Sequence, residues 1–151
     1  MNNLEQFMAV FQVPEFVKPY LHHFVTEQEI ELVTKIAGRS LTRDQIASLF
    51  ENNPDIDELL EQAYQRYVIN KEEKDGTVYY SVSDFYARLD DHSKFGNYYV
   101  LPRKIRQQLD KWCYLEYLKR NNHFKAVVDN DPDYENCHND LILLLSEVEE
   151  M

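Results

Sequence analysis

Hydrophobic positions recur along this chain at helical spacing, then in alternation, then at helical spacing again. Thr26-x-x-Glu29 has the form of a capping box, and Ile30, Val33, Ile36 and Ala37 follow with the helical period. This predicts a helix that Gly38 ends. After the connection Arg39-Ser40-Leu41, a second box, Thr42-x-x-Gln45, opens a short helix through Ile46, Ala47, Leu49 and Phe50, which stops before Pro54. A third helix opens where Asp55 or Asp57 can cap and where the early acids suit the positive end of the helix dipole. Ile56, Leu59, Leu60, Ala63, Tyr64 and Tyr67 give it an apolar stripe.

The period then changes. Val68-Ile69-Asn70-Lys71 reads as a strand, Lys74-Asp75-Gly76-Thr77 as a turn with the Asp-Gly signal, and Thr77 to Val82 as a second strand with Val78, Tyr80 and Val82 on one face. Helices followed by a hairpin whose turn projects outward predict a winged helix-turn-helix, organised around residues 42–82. The competing reading is a generic helical domain that carries a hairpin.

On the N-terminal side, Leu4, Phe7, Met8 and Phe11 fit a short amphipathic helix, while the prolines of Val13-Pro14 and Lys18-Pro19 predict an extended or turning segment. Residues 1–25 are therefore expected to form an arm laid over the core. On the C-terminal side, Ser83 and Asp84 can cap a fourth helix that ends around Gly96, and Asn97 to Pro102 is expected to be extended. Pro102 is well placed to start a long helix from about Arg103 to Arg120. Ile105, Leu109 and Trp112 mark its faces and are the candidate dimerisation residues; packing onto the N-terminal arm would use the same side chains. The expected organisation is an arm (1–25), a winged helix-turn-helix (26–100), a long helix (101–125), and an acidic linker with a terminal apolar segment (126–151). Asp140 can cap that last segment, Leu141 to Leu145, which ends at Met151 in the middle of its amphipathic pattern. Either it swaps onto a partner, or the chain continues in a longer protein. The fold class expected is mainly α with a small β-hairpin.

Composition narrows the possible jobs. The chain has 151 residues, 44% of them hydrophobic, and three glycines, which fits an ordered domain with a sizeable core. No apolar run approaches the ~18 residues of a membrane span, and the first residues lack the basic region of a signal peptide, so a cytoplasmic location is expected. Cys113 and Cys137 form no CxxC pair and no zinc spacing. His22 and His23 are adjacent, but no carboxylate or cysteine pattern completes a metal site, and no metal ligand or cofactor is expected. His92 near Asp90 and Asp91 has the ordinary spacing of a charged helix end. The chain carries no GxSxG, P-loop, HExxH or GxGxxG motif, and no catalytic residue is expected.

The net charge of -11 is unevenly spread. Residues 26–82 hold six basic residues against twelve acids, residues 103–125 seven against two, and residues 126–151 none against eight.

The runs Ala63 to Glu72, Asp84 to Pro102 and Leu109 to Leu118 resemble the N-terminal winged-helix region of some bacterial ferredoxin-type iron-sulfur proteins. The helix-turn-helix and wing, over residues 26–120, resemble the MarR and ArsR families of bacterial regulators. The first resemblance implies cluster ligands in cysteine-rich motifs beyond such a domain. Cys137-His138 does not supply the four thiolates a cluster normally needs, so no cluster is expected in this chain. The second implies a transcriptional-regulator-like DNA-binding domain that acts as a dimer.

For DNA binding, the third helix would read the groove. Gln62 and Gln65 would contact adenine edges and Arg66 a guanine or a phosphate, while Arg39, Arg43, Lys71 and Lys74 would hold the backbone. Phosphate neutralisation supplies most non-specific affinity. Yet Asp55 to Tyr67 carries four acids against one arginine. The contrasting expectation is a protein-protein docking domain, with a tyrosine-rich surface meeting a basic partner or an attached iron-sulfur domain. A small-molecule pocket between the long helix and the winged core, lined by Trp112 and tyrosines, is a further expectation.

Overall fold

The computed structural model describes residues 2–121. The terminal apolar segment, its cap Asp140, and Cys137-His138 lie outside the described residues, which are mainly helical with a small three-stranded antiparallel sheet.

Helix α1 (Asn3–Phe11) begins at a capping box in which Asn2 Oδ1 accepts from Glu5 N–H at 2.8 Å, and it buries Phe7, Met8 and Phe11. It packs on α2 (Glu27–Ile36). Between them, Glu15–His23 forms a 3-10 helix with Pro19 inside it, where an extended or turning segment was expected. A 3-10 turn bonds i to i+3 and is tolerated in short runs. Burial of Val17 and Leu21, with Phe24 just beyond, supplies the tertiary reason for the compact form. Residues 1–25 are thus a helical part of the core.

Thr26 caps α2 as expected: its Oγ1 accepts from Glu29 N–H at 3.2 Å, and Glu29 Oε2 accepts from Thr26 N–H at 2.8 Å. The helix ends at Ala37 (φ 53°) and not at Gly38. Arg39 satisfies the helix end, its guanidinium donating to the terminal carbonyls of Ile36 and Lys35.

The segment after α2 contains a strand that the sequence pattern does not announce. Strand β1 (Leu41–Thr42) is too short to show a period of two, and it exists because β3 offers it backbone partners, Leu41 opposite Tyr80 and Thr42 opposite Tyr79. Thr42 then caps α3 (Arg43–Leu49) through its box with Gln45. Helix α4 (Ile56–Gln65) has Asp55 at its N-cap position, but the Asp55 side chain makes no capping bond.

Strands β2 (Ile69–Lys74) and β3 (Thr77–Val82) pair from Ile69 opposite Val82 to Lys74 opposite Thr77. The first strand therefore runs three residues past the expected Lys71. Asp75 (φ 52°) and Gly76 (φ 77°) both have positive φ and form the two-residue turn anticipated from the Asp-Gly pair. The sheet order is β1-β3-β2.

Asp84 caps α5 (Phe85–Phe95), its Oδ1 accepting from Ala87 N–H at 2.9 Å. The following Tyr98–Val100 is a 3-10 turn and not extended; Pro102 restrains only Leu101, which alone has the extended ψ of 144°. Helix α6 covers Arg103–Arg120. The chain divides into two compact units, residues 1–105 and 106–151. The core of the first is built from Phe7, Phe11, Phe24, Ile36, Ile46, Leu60, Ile69 and Phe85, all with almost no exposed surface. Among the described residues, no helix is long and apolar enough to cross a membrane.

Candidate functional site

The outward face of α4 carries the residues the helical period assigns to it: Asp57, Glu58, Glu61, Gln62 and Gln65 are exposed, while Ile56, Leu60 and Ala63 are buried. The positive charges meant to accompany that face are already engaged, Arg43 and Lys71 with acids of the face itself. Arg43 makes a fork onto Asp57, Nε to Oδ1 at 2.8 Å and Nη2 to Oδ2 at 2.9 Å, and its Nη1 reaches Asp44 at 3.2 Å. The hydrogen bonds from Asp57, and next from Asp44, raise the Arg43 guanidinium above its ordinary range, and the Arg43 bonds lower the Asp57 carboxyl. Arg39 closes α2. Lys71 sits 3.4 Å from Glu61 and over the Tyr64 ring, and Lys74 lies 3.5 Å from Glu72. Gln62 donates to Glu58 and Gln65 to Glu61, each at 3.0 Å.

Arg66 departs most from expectation. It lies just past the end of α4 and turns inward. Its Nε donates to Glu29 Oε1 at 2.6 Å, while its Nη2 donates to the Phe24 carbonyl at 3.0 Å and to Glu29 Oε2 at 3.3 Å. The Phe24 carbonyl also accepts from Arg88 Nε at 2.7 Å, and Arg88 Nη1 donates to Asp91 Oδ2 at 2.7 Å. One carbonyl at the end of the 3-10 segment thus gathers two guanidiniums, one from just past α4 and one from α5. Glu29 and Asp91 offset their charge. Burial first, and then the neighbouring Arg66, lower the Arg88 guanidinium from its usual value.

His92 completes this cluster. Its ring lies 4.7 Å from that of Phe24, and its Nε2 is buried with no hydrogen-bond partner. Burial, followed by the charge of Arg88, holds the imidazole below the normal histidine range. The ring also rests against Gly96, where an added Cβ would come within 2.3 Å of Nδ1.

Glu29, Arg88 and His92 were missed as site residues. A signal existed for two of them: Phe85, Arg88, Leu89 and His92 share one face of α5 by the helical period, which places an arginine and a histidine on the buried side. Glu29 was visible only as a capping residue. The His22 and His23 rings lie tilted with centroids 4.2 Å apart, and among the described residues no group of three metal-ligating side chains assembles. Of the candidate dimer residues, Leu109 is fully buried within one chain, while Ile105 and Trp112 are half-buried. The sequence matches no family model and no curated protein, and the fold matches no solved structure.

Proposed function

We propose that α2, β1, α3, α4, β2 and β3 form a winged helix that works as a non-enzymatic docking module for a basic protein surface. The element order and the sheet order β1-β3-β2 support the winged-helix reading. The observation that carries the docking reading is the state of the charges on α4 and the wing. Arg43, Lys71 and Lys74 are each paired with an acid and Arg66 is turned inward, so the exposed acids Asp55, Glu58, Glu73 and Asp75 are left in excess.

Such a surface repels a phosphate backbone, whose binding depends on unneutralised cations. It suits a partner rich in lysine and arginine. Tyr64 and Tyr67, exposed at the end of α4, supply the aromatic contact area that protein interfaces favour. DNA reading, the usual task of this arrangement, remains the outcome to test against.

The test is a pair of titrations at low salt, one with a mixed-sequence DNA duplex and one with a lysine- and arginine-rich helical peptide. The peptide should bind, and binding should weaken when Glu58 and Glu61 are both changed to Gln. Duplex binding by the unaltered protein that is lost on changing Arg39 and Arg43 to Ala would overturn the docking reading in favour of DNA.

A further inference from the structure

Where the 3-10 segment, the end of α4 and α5 meet, the surface opens into a cleft of about 610 Å³ lined by His23, Gln65, Arg66, Arg88, Asp91 and His92, among others. Its walls are more than a stabilising ion cluster requires. Arg88 is 3% exposed and His92 6% exposed, so both polar groups have been taken out of water. The structure leaves hydrogen-bonding capacity unused on each of the three principal groups. Arg66 Nη1 and Arg88 Nη2 have no hydrogen bond among the described residues, the other guanidinium nitrogens being engaged with Glu29, Phe24 and Asp91. His92 Nε2 is buried and has no partner. A buried polar atom without a partner is costly, and native proteins rarely carry one without a reason.

We propose that this cleft binds a small ligand bearing an oxyanion, a phosphate or a carboxylate, held by the free Nη atoms of Arg66 and Arg88 and by Nε2 of His92. The planar guanidinium fork matches the oxygen spacing of both groups. Two guanidiniums brought together on the Phe24 carbonyl, one from just past α4 and one from α5, make a site of the same kind. Without ligand, Glu29 and Asp91 balance the arginines. An arriving anion therefore adds a charge that the cluster does not already neutralise.

The charge rearrangement has a definite sign. His92 faces Arg88 and Asp91 on its own helix, His23 on the 3-10 segment and Arg66 beyond α4; burial and the cations outweigh Asp91 and keep it neutral. A bound anion opposes those cations and favours the imidazolium. Anion binding and proton uptake by His92 are therefore reciprocal, and affinity rises as pH falls, by at most about tenfold per unit for one proton.

The test uses the full chain with ¹³C-labelled histidine, titrated with inorganic phosphate, sulfate and succinate at constant ionic strength made up with chloride. Sulfate keeps its charge across pH 5.5 to 8, to order of magnitude the window around the ordinary histidine value, so its pH profile reports the protein alone. The expected result is a saturable shift of the His92 resonances, tighter at low pH, with the anion of highest affinity naming the ligand's headgroup. Followed at the resonances of His23, which lines the same cleft, His92→Gln should retain weak binding and lose the pH dependence, Gly96→Ala should weaken binding by displacing the imidazole, and Lys104→Gln, at an exposed position, should change neither. If none of the three anions gives a saturable shift at tens of millimolar, or if His92→Gln leaves the sulfate pH profile unchanged, the proposal is overturned.

Discussion

Arg66 Nε donates to Glu29 Oε1 across 2.6 Å, tying the end of α4 to the first turn of α2. Glu29 is 4% exposed at its side chain and Arg66 is 39% exposed. The Glu29 carboxylate also accepts the Thr26 N–H through Oε2, so a single side chain both caps a helix and anchors an ion pair. An arginine whose place in the sequence suggests a DNA contact is in this way a strut between two helices.

Arg66→Ala leaves the Glu29 carboxylate buried without its cation. Breaking a fully buried pair costs about 3–5 kcal/mol, and the partial exposure of Arg66 brings the expected loss down to about 2 kcal/mol. Urea denaturation of the variant checks this. A change below about 0.5 kcal/mol, the range typical of plain surface positions, would mean that the pair contributes little.

Thr26→Ala and Thr42→Ala each remove a side-chain acceptor from a capping box. Each should destabilise the protein by about 1 kcal/mol. Because Thr26 also shares Glu29 with Arg66, combining Thr26→Ala with Arg66→Ala should depart from additivity, whereas Thr42→Ala with Arg66→Ala should be nearly additive. Double-mutant cycles by denaturant melts measure both.

Gly76→Ala places a side chain at φ 77° in the two-residue turn between β2 and β3. No atom lies within 4 Å of the added Cβ, so the cost is conformational and should be about 1–2 kcal/mol. Slower folding without a steric clash elsewhere is the corresponding kinetic expectation if the hairpin forms early, read from chevron plots.

The neutral form of His92 is favoured in the folded state, so its folded pKa lies below its unfolded value. For a base shifted in this direction, its contribution to stability is complete above the unfolded pKa and is lost as pH falls through that value toward the folded one. Denaturation midpoints should therefore drop as pH falls below about 6.5, the ordinary histidine value. His92→Gln should flatten that part of the profile; an unchanged slope would place the effect on other groups.

Glu58→Lys combined with Glu61→Lys should create weak, salt-sensitive binding to duplex DNA, because it reverses the exposed charge of α4 without touching the Arg43–Asp57 pair. Fluorescence anisotropy at two salt concentrations reads this out. If the variant binds DNA at low salt no better than the unaltered protein, the charge of α4 does not govern its affinity for DNA.

Much of the helical architecture is legible in the chain itself because its signals are local. The boxes Thr26-x-x-Glu29 and Thr42-x-x-Gln45 use bonds that span three residues, Asp84 caps α5 within the same distance, and Asp75-Gly76 forces a tight turn by φ alone. The outward face of α4 follows equally from its period. These features depend on neighbours in sequence, so the sequence determines them.

What the tertiary structure decided depends on partners far along the chain. Strand β1 exists because β3 offers it a ladder, and the 3-10 form of Glu15–His23 comes with burial of Val17 and Leu21. The cluster of Glu29, Arg66, Arg88 and His92 joins residues from α2, the end of α4 and α5 around the carbonyl of Phe24. No spacing encodes that convergence, because the energy of a buried ion pair resides in its distance and its exclusion of water. Both are properties of the folded chain.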